Sequence, residues 1–362
     1  MSILPDAETF RRLADGSLSG LGPASLRSVL SALAVPYAAA VSVRNVLYDR
    51  RLLPQRAATI PVVSVGNLTL GGTGKTPLVA WLARELIALG RRPAVVSRGY
   101  AARPDQTSDE AAELALLLPG VPHVADRDRA AAAERAAGLG ADVVLLDDGF
   151  QHRRLQRNLD ILTIDATDPF GCNRLFPRGL LREPLAGLAR SDAIVLSRAD
   201  RLDADGRAAI RATVARARRG RPPAAWVEAT HAPVGLRSFG GAVAPLESLA
   251  GRRVLAFCGI GNPAAFRHTL SGLGAELVGF RSFADHHHYS NADLDSLAAE
   301  AATGDADLVV TTLKDLVRLA EDGKRLAPLV AVEVALEPLT DPEPLRHLLT
   351  LTLTLRGGAK PA

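Results

Sequence analysis

The chain has 362 residues, room for about two domains of ordinary size, with 48% hydrophobic and 23% charged residues, fractions that fit a soluble globular protein with a sizeable core. A formal charge of +4, from 43 basic and 39 acidic residues with no long basic block, argues against a nucleic-acid binder. Two distant cysteines, Cys172 and Cys258, read as free thiols in a reducing compartment rather than as a disulfide or a metal knuckle.

In chain order, the first candidate element is LRSVLSALAVPYAAAVSVRNVLYDR, Leu26 to Arg50. Its uncharged run from Ser28 to Val43 is shorter than the roughly 20 residues of a spanning helix, and Pro36 interrupts it. It follows Asp6, Glu8 and Asp15, unlike a signal peptide. Leu26, Leu30, Leu33, Tyr37 and Val41 recur at helical spacing, flanked by Arg27, Arg44, Arg50 and Arg51. An interfacial helix among lipid headgroups and a helix packed on the protein's own core both satisfy this pattern.

IPVVSVGNL (Ile60–Leu68) is a β-branched apolar run typical of a buried parallel strand. A glycine loop follows, then a helical pattern ending at Gly90. RPAVVSRGY, VPHVA, ADVVLLDDG, LDILTIDA and SDAIVLSRAD continue the strands, with DEAAELALLL as one of the intervening helices. Such alternation predicts an α/β fold with a parallel sheet, and the glycine loop within it makes that sheet one of P-loop NTPase type. RARRGRPP (Arg216–Pro223) breaks the series, and AAWVEATHAPVGLRSF reads as two extended segments about a turn at Ala232-Pro233. RRVLAFCGIGNPAAF, AELVGFRSF, ADLVVTTLKDLVRL and PLVAVEVAL then form a second α/β series. The expected organisation is an N-terminal α/β domain over residues 1–222 that carries the glycine loop, an extended linker over 223–241 and a smaller C-terminal α/β domain over 242–362.

GGTGKT (Gly71–Thr76) lies between a strand and a helix, the context of a phosphate-binding P-loop. Its glycines let amides converge on phosphate oxygens, and the helix N-terminus favours the negative charge. The candidate phosphate-binding run is Thr69, Leu70, Gly71, Gly72, Thr73, Gly74, Lys75 and Thr76. Lys75 stands out because the basic residues are almost all arginine. It can reach the β- and γ-phosphates, and the Thr76 hydroxyl can ligate Mg²⁺. DVVLLDDGFQH places Asp147 and Asp148 at the end of a strand, where one can serve the metal and the other cap the turn. These features define a nucleotide-phosphate enzyme without naming its substrate. LSRAD (Leu196–Asp200) loosely matches the guanine-reading N-K-x-D, with Ser197 and Arg198 in place of its defining pair.

Other polar stretches are open to two readings. ADHHHYSNADL (Ala284–Leu294) sets Asp285 beside three histidines, as a carboxylate–imidazole pair for proton transfer or as a solvated loop. Asp109 and Glu110 open a helix, where acidic residues also serve as caps.

Taken together, these segments resemble the tetraacyldisaccharide 4′-kinase family of lipid A synthesis. The carrying motifs are VGNLTLGGTGKTPLVAWLA, VVSRGY, SDE, LLDDGFQHRRLQRNLDI, LFPRGLLREP, FCGIGNP, FADHHHY and TTLKD. The resemblance implies transfer of the ATP γ-phosphoryl, with ATP and Mg²⁺ bound, to the 4′-hydroxyl of a lipid substrate, tetraacyldisaccharide 1-phosphate. It also implies a peripheral, monotopic enzyme on the cytoplasmic face of the bacterial inner membrane, expected to be monomeric, and this favours the interfacial reading of the first helix. By matching motifs, Asp109 and His286 form the acid–base dyad with Asp285 beside them, Lys75 serves the phosphates, and Asp147 and Asp148 form the metal-side pair. Arg182, Glu183, Gln151 and His152 match substrate-side positions. Ser108 replaces the glycine of G-D-E, the segment before Asp109 is short, and Leu313 replaces the glutamate of T-T-E-K-D. The alternative is a P-loop GTPase or ATPase switch, or a maturation factor acting on a protein partner. For the kinase reading, the placement of the glycine loop and the Asp-His segment in different expected domains predicts a cleft that closes around ATP.

Overall fold

A computed structural model describes residues 7–99, 109–285, 287–326 and 328–354. The chain opens with helices α1 (Ala7–Asp15) and α2 (Leu21–Asp49), then runs β1 (Val62–Gly66), α3 (Lys75–Ala88), β2 (Pro93–Ser97), α4 (Asp109–Leu117) and β3 (His123–Ala125). It continues through α5 (Arg129–Gly138), β4 (Val143–Asp147), β5 (Leu159–Asp165), β6 (Ala193–Ser197), α6 (Ala204–Ala217) and β7 (Ala225–Ser238). The remainder is β8 (Val243–Ala244), β9 (Arg253–Cys258), α7 (Pro263–Gly272), β10 (Glu276–Ser282), α8 (Asn291–Thr303), β11 (Leu308–Thr312), α9 (Leu313–Leu319), β12 (Leu329–Pro338) and α10 (Glu343–Leu353). The chain divides into two units. One holds the described residues of Met1–Tyr100, Leu118–His231 and Leu336–Ala362; the other holds those of Ala101–Leu117 and Ala232–Ala335.

In the first unit the strands lie in the order β7-β6-β5-β1-β4-β2-β3, and every pairing is parallel. β1, β2, β4, β5 and β6 are buried along their whole length, which explains their unbroken apolar runs, since helices cover both faces of such a sheet. The strand order reverses about β1, with β4, β2 and β3 on one side and β5, β6 and β7 on the other. Ligands of open α/β sheets bind beyond the carboxyl ends of the strands at such a reversal. Leu162, Ile164, Ile194, Leu196 and Phe150 pack one core cluster, and Val62, Val96, Val144 and Leu146 another.

The second unit orders its strands β10-β9-β11-β12, all parallel, over a core of Leu249, Val254, Ala256, Phe266, Leu270 and Val310. The turn expected at Ala232-Pro233 does not form: Ala225–Ser238 is one strand. Pro233 falls between the residues that pair with β6 (Ala225–Glu228) and those that pair with β8 (Leu236 and Arg237). Proline's φ is compatible with extended chain, so nothing forces a turn there.

α2 packs one side on the protein and leaves apolar residues exposed on the other. Tyr37, Val41, Asn45 and Tyr48 form a helical stripe. The Tyr37 hydroxyl donates to the Arg182 carbonyl at 2.7 Å, and Asn45 Nδ2 donates to Glu183 at 2.9 Å. Arg153 donates to the Asn45 carbonyl at 2.9 Å and to Asp49 at 2.7 Å. Away from this stripe Leu26, Val29, Leu33, Val35, Val43 and Val46 are exposed. At 29 residues the helix exceeds the uncharged run counted in the sequence, and by length and composition it could cross a membrane. Its polar attachment to Arg182, Glu183 and Arg153 instead ties one side of it to protein.

Candidate active site

The glycine loop leaves β1 at the strand-order reversal and is braced from beneath. The Thr73 hydroxyl accepts from Asn67 Nδ2 at 2.9 Å. The Thr73 carbonyl accepts from the hydroxyls of Thr163 at 3.1 Å and Ser197 at 2.9 Å. The Gly72 carbonyl accepts from both terminal nitrogens of Arg198, at 3.2 and 3.3 Å, and Arg198 is also paired with Asp165. A trans peptide points its carbonyl and the following N–H in opposite directions. Tying the Gly72 and Thr73 carbonyls to the ends of β5 and β6 therefore turns the amides of Thr73 and Gly74 outward, as a phosphate nest requires. Gly74 has φ +83, and a Cβ there would lie 2.3 Å from the His231 ring, so only glycine fits this turn. α3 begins with no side-chain cap, which leaves its first amides for an anion. Upstream, Thr69 is buried, and the Leu70 amide already donates to the Leu180 carbonyl at 2.7 Å. The amides open to a phosphate are therefore those from Gly71 onward.

Asp147 is buried at the end of β4, in register with Val65 beside the root of the loop. Asp148 follows with φ +51, and its carboxylate meets Lys75 Nζ at 3.4 Å and an Arg182 guanidinium nitrogen at 2.8 and 2.9 Å. Burial works to raise the Asp148 pKa, but Lys75 and Arg182 outweigh it and hold the group below the usual carboxylate range. Buried Arg129, at the start of α5, lies in the field of both aspartates; burial lowers its pKa against their pull. The Thr76 hydroxyl and the two carboxylates are hard oxygen donors and fit a magnesium ion that keeps waters and phosphates as its other ligands.

The substrate-side candidates behave differently from one another. Glu183 is fully buried; its carboxylate accepts from Arg190 at 2.8 and 2.9 Å, Gln151 at 3.0 Å and Asn45 at 2.9 Å. Arg190 in turn lies over the Phe150 ring at 4.5 Å. Glu183 thus joins α2 to the segment after β4. Gln151 also donates to the Asn67 carbonyl at 2.8 Å. The His152 pKa is pushed down to about 4 by burial and then by Arg129, Arg157 and Arg154, which leaves a neutral imidazole at pH 7.

In the second unit Asp109 opens α4, and its carboxylate accepts from Arg318 Nε at 2.7 Å. Asp285 approaches the Gly259–Pro263 loop so closely that a Cβ on Gly261 would lie 3.3 Å from its Oδ2. His286 lies outside the described residues. Its neighbour His287 stacks on Phe283 with centroids 4.7 Å apart and meets Asp293 at 3.2 Å. Asp293 also closes the capping box of α8 with Ser290. These contacts give His287 a structural task. Sequence reasoning missed Arg198, Arg129, Asn67, His231 and Arg318. The loose SRAD match was the only signal for Arg198, and it pointed to a base-reading role rather than to the brace observed here.

A braced glycine loop with an uncapped helix behind it, a lysine and a neighbouring strand-end aspartate pair define a P-loop enzyme acting on nucleotide phosphates. A sequence model of the tetraacyldisaccharide-1-P 4′-kinase family matches residues 26–354, and the chain belongs to that family. It is 46% identical over 304 residues to the tetraacyldisaccharide 4′-kinase of Anaeromyxobacter dehalogenans strain 2CP-C, covering 78% of this chain and 79% of that one. The kinase of Geobacter sulfurreducens is 38% identical over 364 residues, with 95% and 98% covered. The crystal structure of LpxK from Aquifex aeolicus in complex with ATP superimposes with a TM-score of 0.72 at 30% identity, covering 91% of this chain and 99% of that one. The switch or maturation-factor alternative is not favoured by these relationships.

Proposed function

We infer that the chain is an ATP-dependent kinase that phosphorylates the 4′-hydroxyl of tetraacyldisaccharide 1-phosphate. The observation that carries this reading is the family match over residues 26–354 together with an intact, braced GGTGKT loop. In the proposed chemistry the amides from Gly71 to Thr76 and the Lys75 ammonium hold the triphosphate and neutralise charge that spreads over the transferring group. Thr76, Asp147 and Asp148 would hold Mg²⁺, which supplies further neutralisation of the phosphate oxygens when bound. Arg182 keeps Asp148 ionised and oriented toward Lys75. A sugar alcohol is a poor nucleophile, so Asp109, with His286, would accept its proton as the new phosphorus–oxygen bond forms; a positioned base contributes about 10²–10⁴-fold. ADP leaves with the β–γ bridging oxygen.

The exposed apolar residues of α2 support work at a bilayer surface, because a substrate with four acyl chains stays in the lipid. The flanking Arg27, Arg44, Arg50 and Arg51 suit anionic headgroups. ATP is a cytoplasmic nucleotide, which favours the cytoplasmic face.

The test is γ-labelled ATP with the disaccharide monophosphate in mixed micelles, using wild type, Lys75→Ala, Asp109→Ala and His286→Ala. Label should enter the lipid with wild type and fall by at least about 100-fold in each variant. Full labelling by Lys75→Ala, or a tenfold preference for GTP over ATP, would overturn the reading.

A further inference from the structure

The segments FCGIGNP, FADHHHY and TTLKD converge in the second unit on one buried cation. Arg318 has a side chain 2% exposed and donates along three directions: Nε to Asp109 Oδ2 at 2.7 Å, and NH1 to the Gly259 carbonyl at 2.9 Å and to Asp315 Oδ1 at 3.1 Å. Asp315 is fully buried and is itself fixed on every side. It accepts from the Tyr289 hydroxyl at 3.0 Å, the Gly259 amide at 3.1 Å and the Thr312 hydroxyl at 2.6 Å. The Asp109 carboxylate, by contrast, keeps 37% of its side-chain surface exposed. The arrangement is graded from a closed anion, through a closed cation, to an open anion.

We propose that Arg318, anchored by Asp315, is a positioning residue that holds the Asp109 carboxylate in one orientation for the acceptor hydroxyl. The inference rests on the reading of Asp109 as the acceptor-side base. A planar guanidinium fixed at two other points leaves its Nε–H in one direction, so the carboxylate bound to it loses rotational freedom about its last torsion. Asp109 sits at the first residue of α4, where chain ends fray, and the expected helix-capping role would not need a partner 209 residues away. A cation buried only to stabilise the fold would be a poor choice, because a buried ion pair is often no more stabilising than apolar packing of the same volume. Misplacing a reacting group by about 1 Å costs on the order of 10²-fold in rate, so the position has a catalytic consequence large enough to measure.

The experiment measures kcat, the KM for the lipid acceptor and the KM for ATP on the full chain in micelles, with thermal melting of every variant. Arg318→Met should lower kcat by about 30- to 100-fold while both KM values stay within about threefold. Arg318→Lys, which restores a cation without the fork, should regain about tenfold. Asp109→Ala with Arg318→Met should be no slower than Asp109→Ala alone, because one residue acts through the other. If Arg318→Met does not fold, Arg318→Met with Asp315→Asn removes both buried charges together and carries the same expectations. A kcat within threefold of wild type, or losses that multiply in the double variant, overturns the inference while leaving Asp109 as the base. Wild-type turnover by Asp109→Ala overturns both.

Discussion

Gly74→Ala places a methyl group where the loop has the least room for one. The backbone there has φ +83, and the new Cβ would lie 2.3 Å from Cε1 and 2.4 Å from Nε2 of His231. A left-handed alanine costs about 1–2 kcal/mol, and moving the imidazole adds to this. If the loop keeps its shape, the whole chain carries the strain and urea unfolding should lose about 1–2 kcal/mol. If the loop relaxes instead, the Thr73 and Gly74 amides leave the phosphate position, and the ATP dissociation constant should rise about tenfold for each 1.4 kcal/mol. Titration calorimetry with ATP and urea unfolding together capture both outcomes. Adding His231→Ala removes the contact but not the torsion, so it should restore only part of the loss. Unchanged affinity together with unchanged stability would refute the claim that this turn requires glycine.

Three more expectations follow from buried or exposed groups. Burial raises the pKa of Glu113 above the usual carboxylate range, opposed by Lys314. The folded chain therefore holds its proton longer than the unfolded chain, and stability falls as pH rises from the ordinary glutamate value through the raised one. Glu113→Gln should flatten that slope in urea titrations at a series of pH values and melt higher than wild type at pH 8. Arg190→Met leaves Glu183 buried without its cation and should cost about 3–5 kcal/mol, with recovery when Glu183→Gln is added. Leu33 and Val43 are 52% and 58% exposed, so Leu33→Asp with Val43→Asp should leave the melting temperature within about 2 °C yet abolish sedimentation with anionic vesicles; sedimentation that persists would remove α2 from the membrane contact.

Much of the architecture was legible in the residues because it rests on local physics. Short, β-branched unbroken runs such as VVSVG and AIVLS, bounded by turn residues, favour strands covered on both faces, and a glycine loop between such a strand and a helix lies at that strand's carboxyl end. Asp147 and Asp148 were legible for the same reason, since four apolar residues lead into them. His286 lies outside the described residues, and its part in the dyad rests on the motif alone.

What the chain could not reveal along its length is what each of its many arginines reaches, even where a motif marks Arg182 or Arg198. Arg198, Arg182, Arg190 and Arg318 look alike in sequence; they differ in the fold by what they reach. One braces the Gly72 carbonyl, one holds Asp148, one is sealed against Glu183 and Phe150, and one fixes Asp109. Short-range patterning is set by periods of two and 3.6 residues and can be read in one dimension. The partner of a long, flexible cation is chosen only when tertiary packing buries its stem and brings distant oxygens within about 3 Å of its head.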